Sequence, residues 1–396
     1  MALTSNKSVI GVEVQSSAGT FNTPNSSTDT LPCANISLSE AGVTIENPEY
    51  TGSIHKQGNI VAGSTVTLSL DIMLRPPGGV APPAADGFLP GRFLRAAKFT
   101  ETVLAAAVPA APEAVSAGST VGATLGAGVA ATADLYKGMS IVLASQGVVP
   151  RSLSAIKSYS AGKAITLPET LGGTLTGNYQ IPAQLAYVRD VTQAAPPFLS
   201  LSVWLGGVRY DLVDMSVASA SFVVPTSTRD QAAFPVFRVT LSGDVFATAD
   251  EATPTIPALG AIPLFKDGDF WVANKALGGA SFNIDLNARV AAPPNPNKVN
   301  GSDAPETVEM RPSVSLQLQK YLKATFDARA LAAAQSSHSV WAQWGYTAGS
   351  IVSLLVAEAR FNFPNPELGG DFITENVDLF IDVATKNISV CFPYPA

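Results

Sequence analysis

Val217-Ala-Ser-Ala-Ser-Phe-Val-Val-Pro225 and Val356-Ala-Glu-Ala-Arg-Phe-Asn-Phe-Pro364 are two renderings of one phrase. Each lies downstream of a shared Ser-Val-Trp, at Ser202–Trp204 and at Ser339–Trp341. Each is followed by a loop and an alternating run, Val236–Val245 in the first copy and Val377–Val383 in the second. Two shared phrases in the same order at similar spacing point to one folded unit copied within the chain.

Outward from these phrases, the clearest strand is Thr65–Leu74. Val66, Leu68, Leu70, Ile72 and Leu74 share one face, and Thr65, Thr67, Ser69 and Asp71 share the other. Such period-two alternation predicts one buried face and one wet face. Gly279–Val290 alternates in the same way, with Phe282, Ile284, Leu286, Ala288 and Val290 inward and Ser281, Asn283, Asp285, Asn287 and Arg289 outward. Aligning Gly63 with Gly279 and Val66 with Phe282 keeps the parity, whereas a one-residue slip would exchange the faces. Val9–Val14, Ala34–Leu38 and Val43–Ile45 read as further strands, and Glu46–Gly63 reads as a long polar loop. Arg92–Phe99 and Asp327–Gln335 read as short amphipathic helices.

Residues 104–190 interrupt the repeat. Asp134–Leu143, Ser154–Tyr159, Lys163–Leu167 and Asn178–Ile181 read as short strands of an inserted small β-barrel. The predicted map is therefore 1–103 with 191–250 as a first domain, 104–190 as the insertion and 251–396 as a second domain.

Composition supports an all-β chain with a few short helices. The 396 residues include 32 Gly and 29 Pro, and 46% are hydrophobic. Many short strands joined by turns have this composition. The charged fraction of 14% falls well below the ~25% of an average protein. That is what a surface largely devoted to protein contacts, or one rich in Ser and Thr, would show. The net charge of −7, with no basic run, argues against tight binding to nucleic acid by phosphate neutralisation. Cys33 and Cys391 stand at opposite ends with no partner spacing, which suits a reducing compartment. Met1–Ser8 has no apolar core of the secretory type. The charge-free stretch Ala114–Ala133, rich in Gly, Ser and Thr with one leucine, is too polar to span a bilayer.

Catalytic and cofactor patterns are weak. Gly126-Ala-Gly128-Val-Ala-Ala131 matches a dinucleotide fingerprint in letters only, because no hydrophobic strand precedes it and Pro150 and Arg151 stand where an acid is needed. It reads as a small-residue linker. His55 and His338 are the two histidines, and neither has ligands at metal spacing. Glu46 with Glu49, and Asp267 with Asp269, are acidic pairs whose ordinary reading is a solvated loop rather than a glycosidase dyad. No cofactor is expected and the chain does not read as an enzyme.

In order, Glu13, the arm Gly19-Thr-Phe-Asn-Thr-Pro24, the loop Glu46–Gly63, the strand Thr65–Leu74 and the helix ending Phe99-Thr-Glu-Thr-Val103 resemble the tail-tube (major tail) proteins of long-tailed bacteriophages. The insertion, with Tyr136-Lys-Gly-Met139 and Ile156-Lys-Ser-Tyr159, is similar to small β-barrel modules of phage structural proteins. The resemblance implies two tandem tail-tube β-sandwich domains. One four-stranded sheet of each would join a continuous barrel, so that homotrimers close as rings with pseudo-sixfold symmetry. Stacked rings would form the DNA conduit of the virion tail, assembled in the bacterial host cytoplasm. The implied partners are further copies, a tape-measure protein, tail terminator or tip proteins and passing DNA without specific binding, with no membrane. On this reading Asp71, Asp285 and Asn287 face the lumen. Glu46, Asn47, Glu49, Tyr50, Ile54, His55 and Lys56 form a ring-stacking loop, with a shorter counterpart between Phe265 and Gly279. A β-rich surface adhesin or carbohydrate-binding module is the alternative; few aromatics on the long loops disfavour it. A β-sandwich hydrolase would need a convergent nucleophile and base that the sequence does not offer.

Overall fold

The computed structural model describes residues 8–49, 58–144, 153–190, 196–256, 259–298, 300–345, 347–368, 372–382 and 386–395. The fold is all-β with two short helices, and its strands pair antiparallel throughout. Its centre is a run of eight strands. In spatial order they are Ala34–Ile45, Ile60–Met73, Val236–Asp250, the end of Val208–Pro225, Gly279–Asp285, Ser313–Gln319, Thr374–Ile381 and the end of Val352–Phe361. The register carries one apolar row across this layer: Ile72, Phe237, Phe222, Ile284, Val314, Leu379 and Phe361 stand opposite one another in turn. All seven are buried.

A second layer covers the apolar face. Ser8–Val14 pairs with Leu199–Leu205, which turns through Gly206-Gly207 into the first half of Val208–Pro225. On the other side Asp269–Val272, Ser337–Trp344, the first part of Val352–Phe361, Ile388–Tyr394, Ala183–Arg189 and Phe99–Leu104 pair in that order. Aromatic contacts join the layers: Phe99 meets Phe222 edge-on at 6.0 Å, and Phe270 lies 5.9 Å from Phe282. Such pairs add about 0.5–1.5 kcal/mol each to their burial. One continuous core runs through both halves.

The helices are the expected ones, with shifted ends. Leu89–Ala96 begins with a proline in its first turn, where the missing N–H is no loss. Gly91 faces Tyr187 so closely that a Cβ would lie 1.8 Å from the phenol oxygen. Ala328–Ala334 is capped by Asp327, whose carboxylate accepts from the Ala330 N–H at 3.0 Å, and it ends at Gln335 in the left-handed region.

Residues Val108–Ile181 supply two four-stranded sheets of their own, as an inserted barrel-like module. The predicted insertion 104–190 is too wide. Ala183–Arg189 belongs to the large sheet, bridging Phe99–Leu104 and Ile388–Tyr394. The module's core also includes Ala186, Val188 and Cys391 of that sheet.

The repeat is related differently from the predicted alignment. Ile60–Met73 occupies the second place of the eight-strand run, and its counterpart in the second half is Ser313–Gln319. Gly279–Asp285 takes the place of Ala34–Ile45 instead. Equal parity in two alternating strands records which face is buried but says nothing of strand order. The predicted polar loop is also shorter than read, because Ile60–Gly63 extends the strand and Ile45 stands opposite Ile60. Its counterpart is the loop 292–305 between Ala288–Ala291 and Glu306–Met310, of equal length, and not the stretch between Phe265 and Gly279.

Candidate functional site

The polar face of the eight-strand run is a surface that both halves build together. One transverse row on it reads Ala34, Asp71, Arg238, Ser221, Asp285, Ser313, Phe380 and Arg360. Its charges balance, two carboxylates against two guanidinium groups, although the chain as a whole carries −7. Small hydroxyl and carboxylate pairs recur beside it: Ser69 with Thr240 at 3.0 Å, and Ser315 donating to Asp378 at 2.9 Å.

Asp71 lies on this face but is covered rather than open. The side chain is 7% exposed and accepts from Arg238 Nε at 2.8 Å, Arg238 Nη2 at 3.2 Å and Asn35 Nδ2 at 2.7 Å. Burial alone would raise the carboxyl pKa. The hydrogen bonds from Arg238 and Asn35 and the Arg238 charge outweigh it and hold the group below its ordinary value. Asp285 is exposed on the same face, and Leu70 and Leu286 are buried behind it. Asn287 is exposed but ends the strand. It adopts φ 44, its N–H donates to Asp285 Oδ1 at 2.8 Å, and its amide donates to the Arg311 carbonyl at 3.0 Å. The unbroken alternation predicted through Val290 stops there, because a left-handed residue turns the chain out of the pleat.

Ala34–Ile45 and Ile60–Met73 continue beyond the sheet as a two-stranded ribbon. Val43, Ile45, Ile60 and Val61 are each more than half exposed on it. Beyond them Glu46 and Glu49 are exposed and Asn47 half-buried, with Asn47 Oδ1 accepting the Glu49 N–H at 3.0 Å. Tyr50, Ile54, His55 and Lys56 lie outside the described residues. The second hairpin leans on the first: Asn300 stands against Gly63 and its side chain bonds Asp244.

The two ends of the eight-strand run differ. Cys33 and Ala34, at one end, border a cavity of about 390 Å³ that is mostly apolar and is also lined by Leu31, Ile72, Phe88, Leu89 and Pro90. At the other end Phe363, just beyond Val352–Phe361, is 57% exposed. Both features escaped the sequence reading, since neither alternation nor turn signals mark an edge.

The candidate chemical motifs are absorbed by structure. Glu113 accepts from the Ala127 and Gly128 N–H groups at 2.9 Å each and from the Tyr179 hydroxyl at 2.8 Å. The Gly128 N–H chiefly, with the Tyr179 hydroxyl, lowers its pKa. The turn carrying the fingerprint letters thus already holds a carboxylate. His338 packs against Phe361, and burial lowers its pKa. Among the described residues no group of three or more His, Cys, Asp or Glu could hold a metal ion, and no helix is long and apolar enough to cross a membrane. No protein-family model matches the chain, and no curated protein matches it.

Proposed function

We propose that the chain is a structural subunit that assembles with copies of itself into stacked rings, as the tail tube of a long-tailed bacteriophage. The observation that carries this reading is the ladder between Ser221–Pro225 and Ser281–Asp285. It joins the four inner strands of one half to the four of the other, edge to edge, in one register. A unit that already pairs this way within a chain can repeat the pairing between chains, and closure removes the open edges that otherwise invite aggregation.

Three chains would bring about 24 strands to such a barrel. At ~4.8 Å spacing and ~35–45° tilt its diameter is roughly 45–52 Å, enough for a duplex after side chains are counted. The balanced polar row would face that lumen, where it offers passing DNA no excess of cations. The projecting ribbon with Val43, Ile45, Ile60 and Val61 would reach the next ring. Apolar groups exposed together in this way mark protein contact surfaces. In this setting the partners are other copies, a tape-measure protein and tail terminator or tip proteins, and the location is the virion tail, assembled in the host cytoplasm. Sedimentation followed by negative-stain microscopy of the purified protein tests the proposal. Rings or tubes are expected, and separate particles at every concentration would refute it in favour of a surface-binding module.

A further inference from the structure

We infer that the cavity beside Cys33 is the socket for Phe363 of a second copy, and that the intermolecular ladder pairs Phe361–Asn362 of one chain with Pro32–Cys33 of the next. The inference rests on the ring reading above and specifies its contact. It follows from carrying the internal ladder through the repeat. Phe222 stands opposite Phe237, which stands opposite Ile72; Phe361 stands opposite Leu379, which stands opposite Val314. Phe222 and Phe361 are therefore equivalent, as are Ile72 and Val314. Asp71 faces Ala34 where Ser313 faces Asp285, so Ala34 is equivalent to Asp285. Within the chain Phe222, Val223, Val224 and Pro225 stand opposite Ile284, Asn283, Phe282 and Ser281. The same steps place Phe361 and Asn362 opposite Cys33 and Pro32 of a neighbour; the ladder ends there, because Leu31 and Thr30 already pair with Ile10 and Gly11, and Phe363 enters the cavity that Leu31 lines. The ladder begins at Phe361 because Arg360 is already paired with Ser337.

Burial supports the assignment independently. Val224 is fully covered at 0% exposure, whereas its equivalent Phe363 is 57% exposed. The difference is a missing neighbour: Gly279–Asp285 lies against the Val224 strand, and no described strand lies against that side of Phe363. At the opposite edge, the cavity of about 390 Å³ is lined on its sheet side by Leu31, Pro32, Cys33 and Ile72. An exposed phenyl ring and an open apolar cavity thus occur at the two positions that the internal ladder relates. The contact is head-to-tail, so it must close into a ring or continue as a filament.

Cysteine pairing tests the register. In a Cys33→Ser background, Pro32→Cys with Asn362→Cys puts two thiols directly opposite each other, within the Cα separation a disulfide spans. Ala34→Cys with Asn362→Cys is the control, displaced by one pleat repeat and out of reach. After mild oxidation the first pair is expected to give covalent head-to-tail oligomers up to closed trimers, and the control none. Rings without cross-links in the first pair, or cross-links favouring the control, would overturn the register and leave the ring reading intact. Cross-linked oligomers that never close would retain the contact and overturn the ring. Neither rings nor cross-links would overturn both. Phe363→Ala supplies a second readout. Because the ring is exposed, the circular dichroism and urea midpoint of the single chain should not change, while the concentration for half-assembly should rise at least about tenfold. Unchanged assembly would remove Phe363 from the socket.

Discussion

Glu169 sits at the seam between the inserted module and the second half, and replacing it with glutamine should change how stability depends on pH. The Asn274 amide donates to the Glu169 carbonyl at 3.3 Å, and the Thr170 hydroxyl donates to the Asn274 carbonyl at 3.0 Å. Burial pushes the Glu169 carboxyl up from 4.5 to about 7; the nearby charge of Asp269 adds to this and the Ser154 hydroxyl partly opposes it. The unfolded chain ionises near 4.5 while the folded chain stays protonated until about 7. Native stability therefore falls as pH rises through that window and is level above it, with a full loss of about 3 kcal/mol. Glu169→Gln keeps the shape and removes the titration. Relative to the parent, the variant should gain up to about 3 kcal/mol at pH 8 and nothing near pH 4. Urea unfolding between pH 4 and 8 reads this out, followed by tryptophan fluorescence, because Trp271 and Trp341 cluster with Ala155 at the same seam. Parallel curves for parent and variant would refute the reasoning, as would a gain confined to low pH.

Three further outcomes are expected. Deleting residues 105–182 and joining Leu104 to Ala183 by a short glycine turn should leave a folded protein, because Leu104 stands opposite Gln184 and the turn merely closes that hairpin. Deleting 104–190 should unfold it by removing the strand between Phe99–Leu104 and Ile388–Tyr394, and solubility with circular dichroism distinguishes the two. Asp71→Asn should cost about 1–3 kcal/mol in urea at pH 7, discounted because Arg238 is 56% exposed. The Asp71 pKa is lowered in the fold, so this contribution is present above the ordinary carboxylate range; the gap to the parent should shrink as pH falls through it. Asp285→Cys in assembled protein should react with a small thiol reagent and not with one too bulky to enter a tube, whereas equal labelling by both would place Asp285 outside.

The strands that alternate were legible because one face is wet and the other buried: Thr65–Leu74 could be read from residue order alone, and the predicted run Val377–Val383 overlaps the strand Thr374–Ile381, which starts three residues earlier. The helix Ala328–Ala334 was legible because Ala328, Leu331 and Ala332 fall on one face. Other elements carry no such signal. Ala183–Arg189 is buried at six successive positions, so it lacks a period and was absorbed into the insertion. Ile60–Val61 is exposed because the ribbon leaves the core, and its strand character comes from pairing with Thr44 and Ile45. The order of the eight strands depends on the contact of Phe222 with Ile284, which are distant in sequence and share no phrase. The covering of Asp71 by Arg238 likewise comes from a partner far along the chain. The sequence could identify the face but not the neighbour.

Two joined halves would act as two sectors of one closed wall. End-on class averages of the assembled particle in vitrified ice test it most directly. Threefold symmetry is expected, with six similar lobes around an inner wall of roughly 45–52 Å diameter built from about 24 strands. Six chains per ring, an open filament or no closed assembly would contradict it.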